Sequence, residues 1–427
     1  MTDGHSADAV AESEPVEVAV GDAGRWSDDT FLDRIRDSVD DRADRAVREL
    51  RADELTASSS GKIFAAMAAE PGTSGGLKPE DLPGPMADFF EDTEAVHREM
   101  LPGIDEERMR RGKEFFHRYA AQSCLVMLAS SLPNGYAAPC LSRVLTVSDD
   151  LSHHPYQRLL GVLQLLVNIT NHDSHGHEGY GFVTAQKLRL LHAGIRAIVP
   201  RVRTGYVERF GQAVNHEDML ATIMGFSHLV VEGCRTFGVD VTEEEAEDYW
   251  YLWRQFSRMM GIAPTTDPMS EEFVPQTYAD AKTFYDAYTR RQYEQDASKN
   301  PEGALLAQQN LKMMKDLIPG WLRVLGAGRM PLIAMQQLLG DHGMRRVGIQ
   351  PLSGHLADRR LFHALLGLVL RGERKFPSFT ERLAMLILGE MIEGEMGGEV
   401  TFLIPMTVGD MELLTQRDGV AVRQEGH

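Results

Sequence analysis

The 427 residues are 43% hydrophobic and 25% charged, a balance that supports a large buried core and excludes a fibrous or wholly disordered chain. Sixty-three acids against 44 Lys and Arg leave a formal charge of −19, which opposes a nucleic-acid backbone or an anionic membrane as partner. Cys124, Cys140 and Cys234 have no metal-type spacing and are too few for a disulfide framework, so a reducing compartment is expected.

Residues 1–24 are acidic, small and aperiodic, and are expected to be a disordered arm. They carry neither a basic n-region nor an apolar h-region, so a cytoplasmic protein is expected. Residues 25–104 read as a helical arm with covering loops: Trp26 to Leu55 mixes charges with sparse apolar positions, suiting exposed helices packed lightly on the body, and Ser, Gly and Pro breakers follow. The main domain is expected over 105–415, with a flexible tail at 416–427.

DEERMRRGKEFFHRYAAQSCLVMLASSL begins that domain with an acidic first turn and an apolar face, and LPNGYAAP at 132–139 is expected to end the helix. In the next predicted helix, 155–170, Arg158 is the lone charge among leucines and needs an anionic or polar partner. The loop NHDSHGHEGYGFV places His172, His175 and His177 beside Asp173 and Glu178, a set that could hold a transition metal or simply be solvated.

AQKLRLLHAGIRAIVP, 185–200, is the segment to explain. Leu188, Leu191, His192, Ile195 and Val199 fall on one helical face, so one imidazole sits in an aliphatic stripe, closed by Pro200. A histidine there needs a hydrogen-bond partner or a metal. Arg189 and Arg196, three before and four after, could meet an anionic group near the ring. Haem, which takes an axial imidazole and carries two propionates, would use both features.

Asn215 reads as an N-cap, with Glu217 and Asp218 as first-turn negative charge, for a helix that also carries His228, a fallback ligand. Thr242 with Glu245 opens another in capping-box style, running through Trp250 and Trp253. Further helices are expected at 272–295, 302–317, 329–345, 358–371 and 377–392, and VTFLIPMTV near 400–408 is the one strand-like run. The longest apolar runs fall short of the roughly 18 residues of a membrane span, so no transmembrane segment is expected. The fold class is all-α.

Three segments carry a resemblance: ERMRRGKEFFHRYAAQSCLVMLASSLPNGYAAP at 107–139, KLRLLHAGIR at 187–196, and AVNHEDML through MMGIAP at 213–264. In this order they resemble the MpaB and latex clearing protein (rubber oxygenase) family of haem b oxygenases. The resemblance implies a globin-like helical core with additional N- and C-terminal helices, haem b bound within 105–415 and dioxygen as co-substrate. It implies His192 as the axial iron ligand. Arg189 and Arg196 then become candidate propionate partners by helix spacing, and Arg158 the distal arginine.

The rubber-cleaving members follow that arginine with a threonine four residues on and a lysine between, and have an upstream glutamate. Here those positions are Val162 and Gly161, and 137–148 holds no glutamate. The resemblance therefore implies an oxygenase for a small, apolar, isoprenoid-like substrate, with oxidative C=C cleavage one of the reactions open to it. The alternatives are a non-catalytic haem or gas binder and a non-haem metal protein using the 172/175/177 histidines.

Overall fold

In a computed structural model, the described residues are 24–52, 84–146, 155–171, 174–176, 179–318, 323 and 327–353; for 50–52, 155–160 and 164 only the backbone is described. They are helical, with no strand among them. The elements are α1 (Asp29–Arg36), α2 (Asp41–Ala52), α3 (Gly84–Met100), α4 (Glu106–Arg118), α5 (Ala120–Val126), α6 (Leu132–Tyr136), α7 (Pro139–Leu145), α8 (Pro155–Thr170) and α9 (Tyr180–Val202). After them come α10 (Tyr206–Phe210), α11 (His216–Phe226), α12 (His228–Thr236), α13 (Glu243–Met259), α14 (Tyr278–Gln292), α15 (Pro301–Asp316) and α16 (Met330–Arg346).

Local sequence sets many of the boundaries. Asp105 accepts from the backbone N–H of Glu107 and Arg108, both at 3.0 Å, and starts α4. Asn215 accepts from Asp218 N–H at 2.9 Å and starts α11. At α13 the full capping box forms: Thr242 Oγ1 accepts from Glu245 N–H, and Glu245 accepts from Thr242 N–H, both at 3.1 Å.

The centre of the core is α13 against α4. Tyr249, Trp250 and Trp253 are essentially inaccessible and pack with Phe115 and Met109. The two helices touch at Gly112, where a Cβ would lie 2.5 Å from the Asp248 carbonyl oxygen, so no larger residue fits there without moving a helix.

Several expectations change. The segment after Trp26 is not packed lightly: Trp26, Phe31, Leu32 and Ile35 are buried in the main core, and Ala43, Ala46 and Val47 form a second apolar cluster with Met86, Phe89 and Leu190. Its charges hid this: Arg36, Asp40 and Asp44 make ion pairs within the interface, while Asp29, Asp33 and Arg34 make theirs at the surface. The 132–139 segment does not end the helix: Met127–Ser131 forms a π turn and α6 follows, with Pro133 in its first turn. Proline donates no backbone hydrogen bond, and the shift to π spacing falls in the turn before it. Pro200 sits in the last turn of α9, which closes at Val202. His228 does not share a helix with Asn215, because Ser227 (φ −109°, ψ −82°) breaks the run. The 272–295 helix begins only at Tyr278, where Thr277 caps it.

All but Gly24 of the expected arm at 1–24, the helices at 358–371 and 377–392, the 400–408 run and the 416–427 tail lie outside the described residues. Among the described residues no single helix is long and apolar enough to cross a membrane.

Candidate functional site

A cavity enclosing about 1250 Å³ of atom-free space, part of it open to solvent, lies between α8, α9, α11, α14 and the α5–α7 corner. That corner is sharp: Ala120–Tyr136 and Pro139–Leu145 meet at 104°. The wall is mostly apolar, with Leu132, Leu165, Leu188, Met219, Ile223 and Phe256 among its residues, and Met127 and Ser131 of the π turn also border it. Such a space is shaped for an apolar guest and disfavours water.

His192 is on this wall. The stripe expected at 188, 191, 192, 195 and 199 divides among three surroundings: Leu188 and His192 face the cavity, Leu191 packs on the Met86 and Phe89 cluster, and Ile195 and Val199 pack with Tyr206 and Ala213. Ala185, Arg189, Leu190, Ala193 and Arg196 are buried against neighbouring helices, whereas Leu188 and His192 keep accessible surface because they border the cavity. His192 Nδ1 is buried with no hydrogen-bond partner. Burial first, and the positive charge of Arg196 second, pull its pKa down to about 3, against the opposing charge of Asp40. The ring is therefore neutral at pH 7, the form whose ring nitrogen carries a lone pair for a metal.

Arg189 and Arg196, the candidate propionate partners, are paired with acids, although Arg196 Nη2 is buried without a hydrogen-bond partner. Arg189 binds Asp40 through two hydrogen bonds, Nε to Oδ2 at 2.6 Å and Nη2 to Oδ1 at 3.0 Å. Arg196 donates from Nε to Asp44 Oδ1 at 2.8 Å and from Nη1 to the Val214 carbonyl at 3.0 Å. Neither borders the cavity. Burial alone would raise the Asp40 pKa, yet the Arg189 charge and hydrogen bond, with Arg196 behind them, hold it at about 2. Gly261, with φ +74°, gives the pair room: a Cβ there would lie 2.8 Å from the Arg189 guanidinium.

The side chain of Arg158 lies outside the described residues, as do His172 and His177. His175 is engaged, its Nε2 with Glu106 Oε2 at 2.8 Å and its Nδ1 with Lys113 Nζ at 3.2 Å. No group of three metal-ligating side chains occurs among the described residues. His228 is turned to Tyr278, Nδ1 to Oη at 3.0 Å, and is absent from the cavity wall.

Sequence reasoning missed the polar corner of the cavity. Asp218, read there only as first-turn charge, borders the cavity while 1% exposed. Its Oδ1 accepts from Arg36 Nη1 at 3.0 Å and from the Tyr288 hydroxyl at 2.9 Å, and its Oδ2 from Asn215 Nδ2 at 2.9 Å. The Cys140 thiol, pushed up to about 12 by burial and by Asp218, stays protonated and points to the same carboxylate at 3.5 Å. Beside it Glu217, fully buried, pairs with Arg36 at 2.7 Å and Arg291 at 3.2 Å. Tyr285 and Tyr293, also on the wall, share a hydrogen bond of 2.7 Å. The available signal was His216-Glu217-Asp218, three polar residues heading an otherwise apolar helix.

Comparison with known proteins bears on this site. The rubber oxygenase of Streptomyces sp. (strain K30) is 26% identical over 251 residues, covering 58% of this chain, which spans 57% of that relative's length. The structure of Latex Clearing Protein in the closed state matches with a TM-score of 0.54 at 19% identity, over 78% of this chain and 90% of that one, a likeness of fold. The family described as "ER-bound oxygenase mpaB/B'/Rubber oxygenase, catalytic domain" matches residues 117–371, which include the π turn, α9 with His192 and the Asp218 corner. The chain belongs to the MpaB and rubber oxygenase catalytic-domain family.

Proposed function

We propose that this protein is a haem b-dependent oxygenase that uses dioxygen on a small, apolar, isoprenoid-like molecule. The observation that carries the reading is His192: a neutral imidazole with its Nδ1 unpartnered, on the wall of an apolar cavity. An unpartnered ring nitrogen at such a place costs free energy that a bound group can return. The family supports oxygenase chemistry, and the name of the Streptomyces relative supports an isoprenoid substrate class.

His192 would hold the iron from α9, and when bound the haem supplies the activation of dioxygen. The rest falls to the chain. Leucine, methionine and phenylalanine side chains hold the substrate by its apolar surface and keep water out. Asp218, held by Arg36, Tyr288 and Asn215, fixes the shape of the polar corner of that wall. Arg189 and Arg196 stand away from the cavity wall on Asp40 and Asp44, which argues against them as propionate partners. Arg158 remains the candidate distal cation by its sequence position.

A non-catalytic haem or gas binder is favoured by one observation: Val162, where the rubber-cleaving members carry threonine, borders the cavity and has no proton to give. Incubation of the haem-loaded protein with prenylated substrates under oxygen separates the two. Oxygenated or cleaved products that vanish in His192→Ala support the oxygenase; haem uptake without any product supports the binder.

A further inference from the structure

Two polar residues of the cavity wall, His192 on α9 and Asp218 on α11, are tied to one short segment that precedes the residues 117–371 that the family matches. Arg36, Asp40 and Asp44 follow at intervals of four. Arg36 Nη1 reaches Glu217 Oε2 at 2.7 Å and Asp218 Oδ1 at 3.0 Å on α11. Asp40 grips Arg189 by two hydrogen bonds on α9, and Asp44 takes Arg196, two turns further along the same helix, at 2.8 Å. Between them the Ser38 carbonyl accepts from the His216 backbone N–H at 3.0 Å. These charges are withdrawn from water: Asp40 is 5%, Arg189 8%, Arg196 5% and Glu217 0% exposed.

Apolar faces hold helices together but tolerate sliding and rotation. Two ion pairs seven residues apart, Asp40–Arg189 buried on both sides and Asp44–Arg196 with Asp44 part-exposed, do not, because either movement would leave a buried guanidinium unpaired. Rotation of α9 is the variable that decides where His192 faces, since Arg189 and Arg196 flank it by one turn on either side. The network also joins α9 to α11 through a third element, so the separation of His192 from Asp218 depends on the segment that bridges them.

We propose that the segment Arg36–Asp44 is a positioning strap for the site: Asp40 and Asp44 fix the rotation of the His192 helix, and Arg36 fixes Asp218 against it. None of the three touches the cavity guest, so they are positioning residues. The inference rests on the haem reading for its consequence in function, while the strap itself is testable on the chain alone.

The test uses the full chain. Asp40→Asn with Asp44→Asn is compared with wild type and with Glu114→Gln, whose ion pair to Arg110 on α4 is about half exposed on both sides. Backbone hydrogen exchange is followed first, without added haem. The strap predicts at least ten-fold faster exchange over 186–199 in the double variant, with α13 unchanged and Glu114→Gln like wild type. Equal acceleration in α13, or none in α9, overturns it.

Each protein is then loaded with haem and the loss to excess apomyoglobin timed. The double variant is expected to lose haem at least ten-fold faster and to give a broadened Soret band, and Asp40→Arg combined with Arg189→Asp to recover both in part. Wild-type spectrum and haem-loss rate in the double variant contradict the role in positioning His192. Should wild type take up no haem, the haem reading falls while the exchange result still decides the strap. If the double variant does not fold, Asp44→Asn alone decides by the same two readouts.

Discussion

Arg189 and Asp40 are 149 residues apart in sequence and meet through two hydrogen bonds, of 2.6 and 3.0 Å, with both side chains buried. Removing one partner leaves the other charge stranded where water cannot reach it. Asp40→Ala is therefore expected to destabilise the fold by about 3–5 kcal/mol, and Asp40→Leu combined with Arg189→Leu by much less. Urea denaturation of the two variants checks this. Equal losses would mean that the pair acts through packing and not through its charges.

The pH dependence of stability follows from buried histidines. Burial lowers the pKa of His216 from 6.5 to about 3, and that of His228 to about 4. The unfolded chain thus binds protons that the folded chain refuses, so stability is highest above pH 6.5 and falls as the pH drops from there towards 4. Each of the two contributes a slope of up to about 1.4 kcal/mol per pH unit. The His216 ring is buried and makes no close hydrogen bond, the Ala263 backbone being its one weak polar neighbour, so His216→Leu should change stability little at pH 7.5 and shallow the acid limb. Urea midpoints at pH 7.5, 6 and 5 are the measurement. An unaltered slope in His216→Leu contradicts the assignment.

Ala221 borders the cavity from α11 and is 6% exposed. Ala221→Phe places a ring in open space and not in packed core, so Tm should move by only a few degrees, corresponding to about 1 kcal/mol. Uptake of haem, or of an apolar fluorescent probe, should fall at least ten-fold. A large loss of Tm with binding retained would show that the space is filled by the protein itself.

The capping box of α13 is remote from the cavity corner. Thr242→Ala removes the acceptor for Glu245 N–H and should cost about 1 kcal/mol, leaving haem uptake unchanged. Thermal melting and a haem titration of one sample test both halves of that statement.

What could be read from the chain was whatever is decided within a few residues. Asn215 and Thr242 announce their helices because a cap needs only the next three residues, and His192 stands out because its neighbours at helical spacing are aliphatic. The partners of Arg189 and Arg196 could not be read, since Asp40 and Asp44 lie 149 and 152 residues away and nothing local distinguishes an arginine awaiting a propionate from one already paired. Asp218 was misjudged for a related reason. A first-turn acid is ordinarily exposed and dipole-bound, and only the arrival of Arg36 and Tyr288 makes it a buried wall residue. The charged N-terminal helices were misread as loosely attached because charge was taken to mean solvent.

The account depends most on His192 as an iron ligand. Its direct measurement is the visible spectrum of the full chain after stoichiometric haem addition, oxidised, reduced with dithionite, and reduced under carbon monoxide, beside His192→Ala. The account predicts a Soret band with a ferrous carbon monoxide shift typical of histidine ligation, lost or displaced in the variant while helicity is retained. A wild-type spectrum identical to that of His192→Ala, or no band beyond free haem, would contradict it.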